Sequence, residues 1–125
     1  MMAGAPARGR LPLLAGCVLA AVGIALGAFG AHGLRNLLGP AELGWWQTAV
    51  QYQMWNAVGL VGVNGAGLSR NGLPTTLLVA GTLVFAGTLY LMALTGLRWL
   101  GMITPIGGVL MIAGWLLVAW RVWRG

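Results

Sequence analysis

Lysine is absent from this chain of 125 residues, and acid nearly so: Glu42 is its single carboxylate side chain. It has one histidine, His32, and one cysteine, Cys17. Each shortage removes a class of chemistry. One acid cannot supply the paired carboxylates of general acid–base catalysis. One cysteine permits no intramolecular disulfide and leaves the redox compartment unread. No cluster of His, Cys and acid is there to hold a metal. A lone histidine is thin support for a haem, so no cofactor is expected. A nucleophile, base and orienting group are not found together, because Cys17 and His32 fall toward opposite ends of one apolar segment. A non-enzymatic protein is the expectation.

Charge of any kind is scarce, at 6% of residues. Soluble domains carry about 25%. The chain cannot cover a water-facing surface. All the basic residues are arginines: Arg8, Arg10, Arg35, Arg70, Arg98, Arg121 and Arg124. They are scattered and form no patch, so nucleic acid is not an expected partner.

What is present is apolar. Hydrophobic residues make up 59%, and the mean hydropathy is +0.88. Four blocks stand out, at about 11–34, 45–68, 74–97 and 100–122. Each is long enough to cross roughly 30 Å of hydrocarbon as a helix. None alternates as a barrel strand would. The fold class expected is all-α: a polytopic membrane protein with an antiparallel bundle of four transmembrane helices. One domain, 11–122, follows a disordered tail, 1–10. The connections at 35–44, 69–73 and 98–99 are short enough to make neighbouring helices antiparallel. Gly39-Pro40-Ala41-Glu42 reads as a helix start, which places the second helix's beginning near Pro40.

Four spans put both termini on one side. Arg8, Arg10, Arg70, Arg121 and Arg124 lie on that side, and Arg35 and Arg98 on the other. The arginine bias predicts cytoplasmic termini. Trp45, Trp46 and Trp99 would mark the outer interface, and Trp120 and Trp123 the inner one. Arg8 and Arg10 before an apolar run resemble a signal peptide, and 14–17 resembles a lipobox. Too few apolar residues precede Cys17 for a normal signal, so it is expected to be a small core residue.

Glycine is abundant, with 22 residues, mostly inside the blocks. In lipid it permits close helix approach. Gly23, Gly27 and Ala31 share a face of the first helix. Gly59, Gly62, Val63 and Ala66 form a weaker small face on the second. On the fourth, Gly108 and Ile112 break such a ladder, though Gly107 and Gly114 remain, and Gly107 and Gly108 are its expected packing positions. The expected partners are the lipid bilayer and either a second copy of the chain or another membrane protein.

Polar residues concentrate in the second helix, and Tyr52, Gln53, Asn56 and Asn64 share one face. Tyr52, Gln53 and Asn56 converge with His32, Tyr90 and Thr104 on the outer half of the bundle, and the inner half has little beyond Asn64 and Thr82. The candidate polar cluster is His32, Tyr52, Gln53, Asn56, Tyr90 and Thr104. One reading makes it a set of interhelical hydrogen bonds, each worth about 0.6 to 2 kcal/mol. The other makes it a pocket for an uncharged or anionic solute, centred on His32. The bonding reading is favoured, because buried polar groups need partners whatever their role. The embedded glutamate on which small four-helix drug exporters rely is absent.

Four ordered motifs cover most of the chain: Gly27-Ala28-Phe29-Gly30-Ala31-His32, Trp46-Gln47-Thr48-Ala49-Val50-Gln51-Tyr52-Gln53, Phe85-Ala86-Gly87-Thr88-Leu89-Tyr90, and Thr104-Pro105-Ile106-Gly107-Gly108 ending in Ala113-Gly114-Trp115. On these the chain resembles the domain of unknown function 423 family, the small four-helix YgdD/YwdK-like membrane proteins. The resemblance implies a multi-pass protein of the bacterial plasma membrane without an established activity. Members usually carry a second histidine where this chain has Asn56, and often serine at Ala86. Asparagine keeps hydrogen bonding but cannot titrate. A mechanism that needs two histidines is therefore not expected here.

Overall fold

The computed structural model describes residues 7–66 and 72–125, with only the backbone of 7–10. Four long helices follow in order: α1 (Ala7–His32), α2 (Pro40–Gly65), α3 (Leu73–Thr95) and α4 (Thr104–Arg124). A 3₁₀ turn, Arg98–Met102, joins the last two. Of the tail expected to be disordered, residues 1–6 lie outside the described residues. Residues 7–10 already belong to α1. Arg70 also lies outside them.

Prolines start three of the helices. Pro40, Pro74 and Pro105 stand in the first turns of α2, α3 and α4, where a missing N–H costs nothing. Glu42 in the first turn of α2 faces the positive end of its dipole. Gly96 ends α3 in the left-handed conformation, φ 72°, with its N–H on the Met92 carbonyl. A side chain would strain that position, which lets the chain reverse within a few residues.

Among the described residues, three segments are long and apolar enough to cross a membrane: Leu11–His32, Leu73–Thr95 and Arg98–Arg124. The fourth helix of the bundle, α2, has matching length but carries the polar residues. α1 packs on α2, α2 on α3 and α3 on α4. Helices α2 and α3 thus form the centre, and α1 and α4 lie on opposite flanks. Three apolar layers fill the bundle. Leu34, Trp46 and Ala93 occupy one end. Ala49, Ala86, Leu89, Met92 and Leu100 come next. Leu19, Ala57, Leu60 and Leu78 form the other end.

Glycines set the helix separations. Gly16, Gly23 and Gly30 recur every seven residues along α1. A Cβ on Gly16 would lie 2.8 Å from the Ala57 carbonyl oxygen, one on Gly23 2.5 Å from Met54 Sδ, and one on Gly30 2.5 Å from the Trp46 ring. A seven-residue repeat keeps one stripe against a neighbouring helix. Gly27 belongs to the same contact, with Val50 at 3.2 Å. Ala31, expected on that face, is exposed at its edge, because the packed stripe runs through Gly30 instead. Cys17 is exposed rather than in the core, one position off the Gly16 stripe. On α4 the crossing is Gly107 against Gly81 and Phe85, backbone to backbone. Gly108 has only the Phe85 ring near it, at 3.8 Å.

Candidate functional site

The polar residues expected to form one cluster separate into bonded groups, because α2 sits between two flanking helices. Gln53 and Asn56 are 60° apart around α2 at 100° per residue. That angle points Gln53 toward α1 and Asn56 toward α4.

Gln53 is 3% exposed. Its Nε2 donates to the Leu19 carbonyl on α1 at 2.8 Å. Its Oε1 accepts from the Tyr90 hydroxyl of α3 at 2.7 Å. One amide thereby ties three helices together. Trp46, seven residues or about two turns earlier, donates from Nε1 to the Leu26 carbonyl at 2.8 Å. Its ring packs edge-on against Tyr90, 4.7 Å between centroids.

Asn56 is 4% exposed. Its Oδ1 accepts from Trp115 Nε1 on α4 at 2.9 Å. Its Nδ2 donates to the Tyr52 carbonyl at 2.8 Å and to Met111 Sδ at 3.1 Å. Asn56 is therefore a neutral bridge between α2 and α4.

Thr104 forms the third group. Its hydroxyl lies 2.6 Å from that of Thr88, which ties the start of α4 to α3. Thr82 and Thr88 also return hydroxyl bonds to their own helix carbonyls. Thr75 Oγ1 is the one buried side-chain polar atom left without a partner among the described residues.

His32 takes no part in these groups. It is exposed in the last turn of α1, beyond the Gly30 contact. The expectation of a cluster centred on it does not describe the arrangement: the bonded amides lie deeper along α2. Tyr52 also stands aside. It is partly exposed, and its ring packs against Trp55 and Phe85 at 5.0 and 4.6 Å. Sequence reasoning missed Trp46, Trp115 and Thr88 as bonding partners. Both tryptophans were present in quoted motifs, but an indole N–H gives no sequence signal for its acceptor. No group of three or more His, Cys, Asp and Glu suited to a metal occurs among the described residues.

Two outward features complete the picture. Gln47 and Gln51 are exposed on α2, and both flank a crevice floored by Gly27 and Gly30. Gly62 shares their outward side, with nothing within 4 Å of a Cβ placed there. The small face expected from Gly62 and Ala66 is thus unoccupied, because α1 and α3 pack on other sides of α2.

A family model described as "Protein of unknown function (DUF423)" matches residues 26–108. The chain belongs to the DUF423 family. The matched stretch contains the motifs around His32, Gln53, Tyr90 and Gly107, and hence the Gln53–Tyr90 bond and the Gly81–Gly107 crossing. DUF423 relatives agree over nearly full length. A UPF0382 membrane protein of Staphylococcus haemolyticus is 43% identical over 112 residues, 87% of this chain and 92% of that one. The UPF0382 inner membrane protein YgdD of Escherichia coli is 37% identical, over 87% of this chain and 86% of its own. The UPF0382 membrane protein YwdK of Bacillus subtilis is 40% identical, over 85% and 90%. No solved structure matches the chain. This DUF423 chain is a membrane protein with a helical fold.

Proposed function

We propose that this DUF423 protein is non-enzymatic and acts in the plasma membrane through helix packing, pairing with a second copy of itself along the outward face of α2. Both termini would lie in the cytoplasm, since five of the seven arginines sit at the ends and the α2–α3 connection of that side.

The observation that carries this reading is the outward placement of Gln51. α2 has 26 residues, about 39 Å at 1.5 Å per residue. Gln51 lies near its middle, so its amide faces hydrocarbon. A polar group without a partner there costs several kcal/mol. The buried amides of Gln53 and Asn56 solve that problem inside the bundle. Gln47 and Gln51 face away from it. A carboxamide both donates and accepts, so Gln51 can satisfy its counterpart across a two-fold axis. Gly62, three turns further along the same side, would let the two backbones approach. The exposure of His32 at the end of α1 favours packing over a solute site centred on it.

Cysteine crosslinking in native membranes tests the proposal. In a background where Cys17 is serine, Gln51→Cys is expected to give a covalent dimer under mild oxidation. Val109→Cys, exposed on α4, is the control and should stay monomeric. Equal crosslinking at both positions, or none at Gln51→Cys, overturns the reading.

A further inference from the structure

We propose that the cleft between α2 and α4 holds one acyl chain of an anionic phospholipid, with its phosphate on Arg98. The cleft measures about 560 Å³, and its walls include Tyr52, Trp55, Phe85, Met111, Ile112 and Trp115. That volume lies within the range of about 300 to 1,000 Å³ typical of ligand sites. It exists because α2 and α4 do not pack closely along their length. The Trp115 indole, which would collide with any side chain on Gly59, props them apart. Asn56 is the polar group on the floor, and its amide is already committed to Trp115, Met111 and the Tyr52 carbonyl. The occupant must therefore be apolar. A cleft that opens sideways onto hydrocarbon is filled by hydrocarbon, since a void forfeits the contacts of its lining atoms.

The headgroup is set by charge. From Tyr52 the cleft-facing side of α2 continues through Thr48 to Trp45, at helical spacings of four and three. Trp45 is seven residues from Tyr52, about 10 Å along the axis. There the Arg98 guanidinium lies over the Trp45 ring, 5.4 Å from its centroid. This cation–π contact places the guanidinium over the ring, and a guanidinium can bind a phosphate in bidentate fashion. Glu42 is the only acidic side chain, and the net charge is +6. The field around the chain therefore attracts anionic headgroups. An aromatic slot beneath an arginine held over a tryptophan ring matches a phospholipid's order of parts, phosphate above and chain below. The inference does not rest on the α2 pairing, although the two surfaces adjoin: Trp55 on the cleft wall is four residues from Gln51.

Native mass spectrometry of the purified full chain, with dioleoyl phosphatidylglycerol and dioleoyl phosphatidylcholine as probes, tests it. Wild type is expected to retain one phosphatidylglycerol per chain and to prefer it to phosphatidylcholine. Arg98→Gln should lower phosphatidylglycerol retention at least about tenfold, toward the phosphatidylcholine level, as a charged hydrogen bond of 1.5–3 kcal/mol is lost. Gly108→Phe projects a ring into the cleft, where a Cβ meets nothing nearer than 3.8 Å. It should abolish retention of both lipids while helical content by circular dichroism stays unchanged. If Gly108→Phe does not fold, Ile112→Trp fills the same cleft from an exposed position. Equal retention of the two lipids, unchanged by Arg98→Gln, overturns the headgroup assignment. Wild-type retention in the cleft-filled variant overturns the chain assignment. Loss of self-association in that variant with retention intact would place a helix of a second copy in the cleft and likewise overturn it.

Discussion

Replacing Gly107 by alanine should destabilise the bundle, whereas the same change at its neighbour Gly108 should not. A Cβ on Gly107 would lie 2.7 Å from the Gly81 carbonyl oxygen and 2.9 Å from Phe85 Cα, and it would collide with the Phe85 amide nitrogen. All three are backbone atoms, so no rotamer change relieves the clash. The helices must part by about 0.5 to 1 Å, a gap that forfeits a quarter to a half of each contact's dispersion energy. Overpacking of this kind costs about 1–3 kcal/mol. In lipid no hydrophobic gain offsets it, because the alternative surroundings are equally apolar. Alanine's better helix propensity returns at most about 1 kcal/mol. That return is common to both substitutions. At Gly108 the nearest atoms are Phe85 ring carbons at 3.8 and 3.9 Å, an ordinary contact. The two neighbouring variants should thus differ by about 2 kcal/mol, near the upper end of a 5- to 30-fold change in folded-to-unfolded ratio. Reversible unfolding in mixed micelles by added dodecyl sulfate, followed by circular dichroism, measures the difference. Gly81→Ala should match Gly107→Ala, because its Cβ meets the Gly107 oxygen and Met111 N, each at 2.8 Å. If Gly107→Ala proves as stable as Gly108→Ala, α3 and α4 do not cross where described.

The same assay reads two further perturbations. Tyr90→Phe and Gln53→Leu, singly and together, should show a coupling of about 0.6 to 1.7 kcal/mol, the range for interhelical hydrogen bonds in membranes, because the Tyr90 hydroxyl donates to Gln53 Oε1 at 2.7 Å; strict additivity would refute the bond. His32→Ala should change stability by no more than about 0.5 kcal/mol, as at other exposed positions without partners, and a loss above about 1.5 kcal/mol would show that the imidazole is held by the bundle.

Particular residues mark what could be read in advance. The apolar blocks, with no strand-like alternation, are enough for an all-helical membrane fold, because only helices and closed barrels satisfy the backbone in lipid. Proline and glycine punctuation marked the start of α2 through local backbone chemistry, whereas the stop of α3 at Gly96 emerged only in the structure. The involvement of Gln53, Asn56, Tyr90 and Thr104 in buried bonding was also legible, since polar groups within apolar segments need partners. Their partners were not. Which glycine is tight depends on what faces it: Gly107 and Gly108 are adjacent, yet one meets backbone and the other the edge of a ring.

The sequence by itself determined the class of the molecule: its helices, their antiparallel order and its need for a membrane, all of which follow from local composition and period. The tertiary structure decided how the polar residues are shared out. With α1 and α4 on opposite flanks, α2 turns Gln53 to one side and Asn56 to the other, and His32 is left exposed at a helix end. That division depends on the rotation of each helix about its axis, a quantity set by glycine-limited contacts between distant segments rather than by any local pattern.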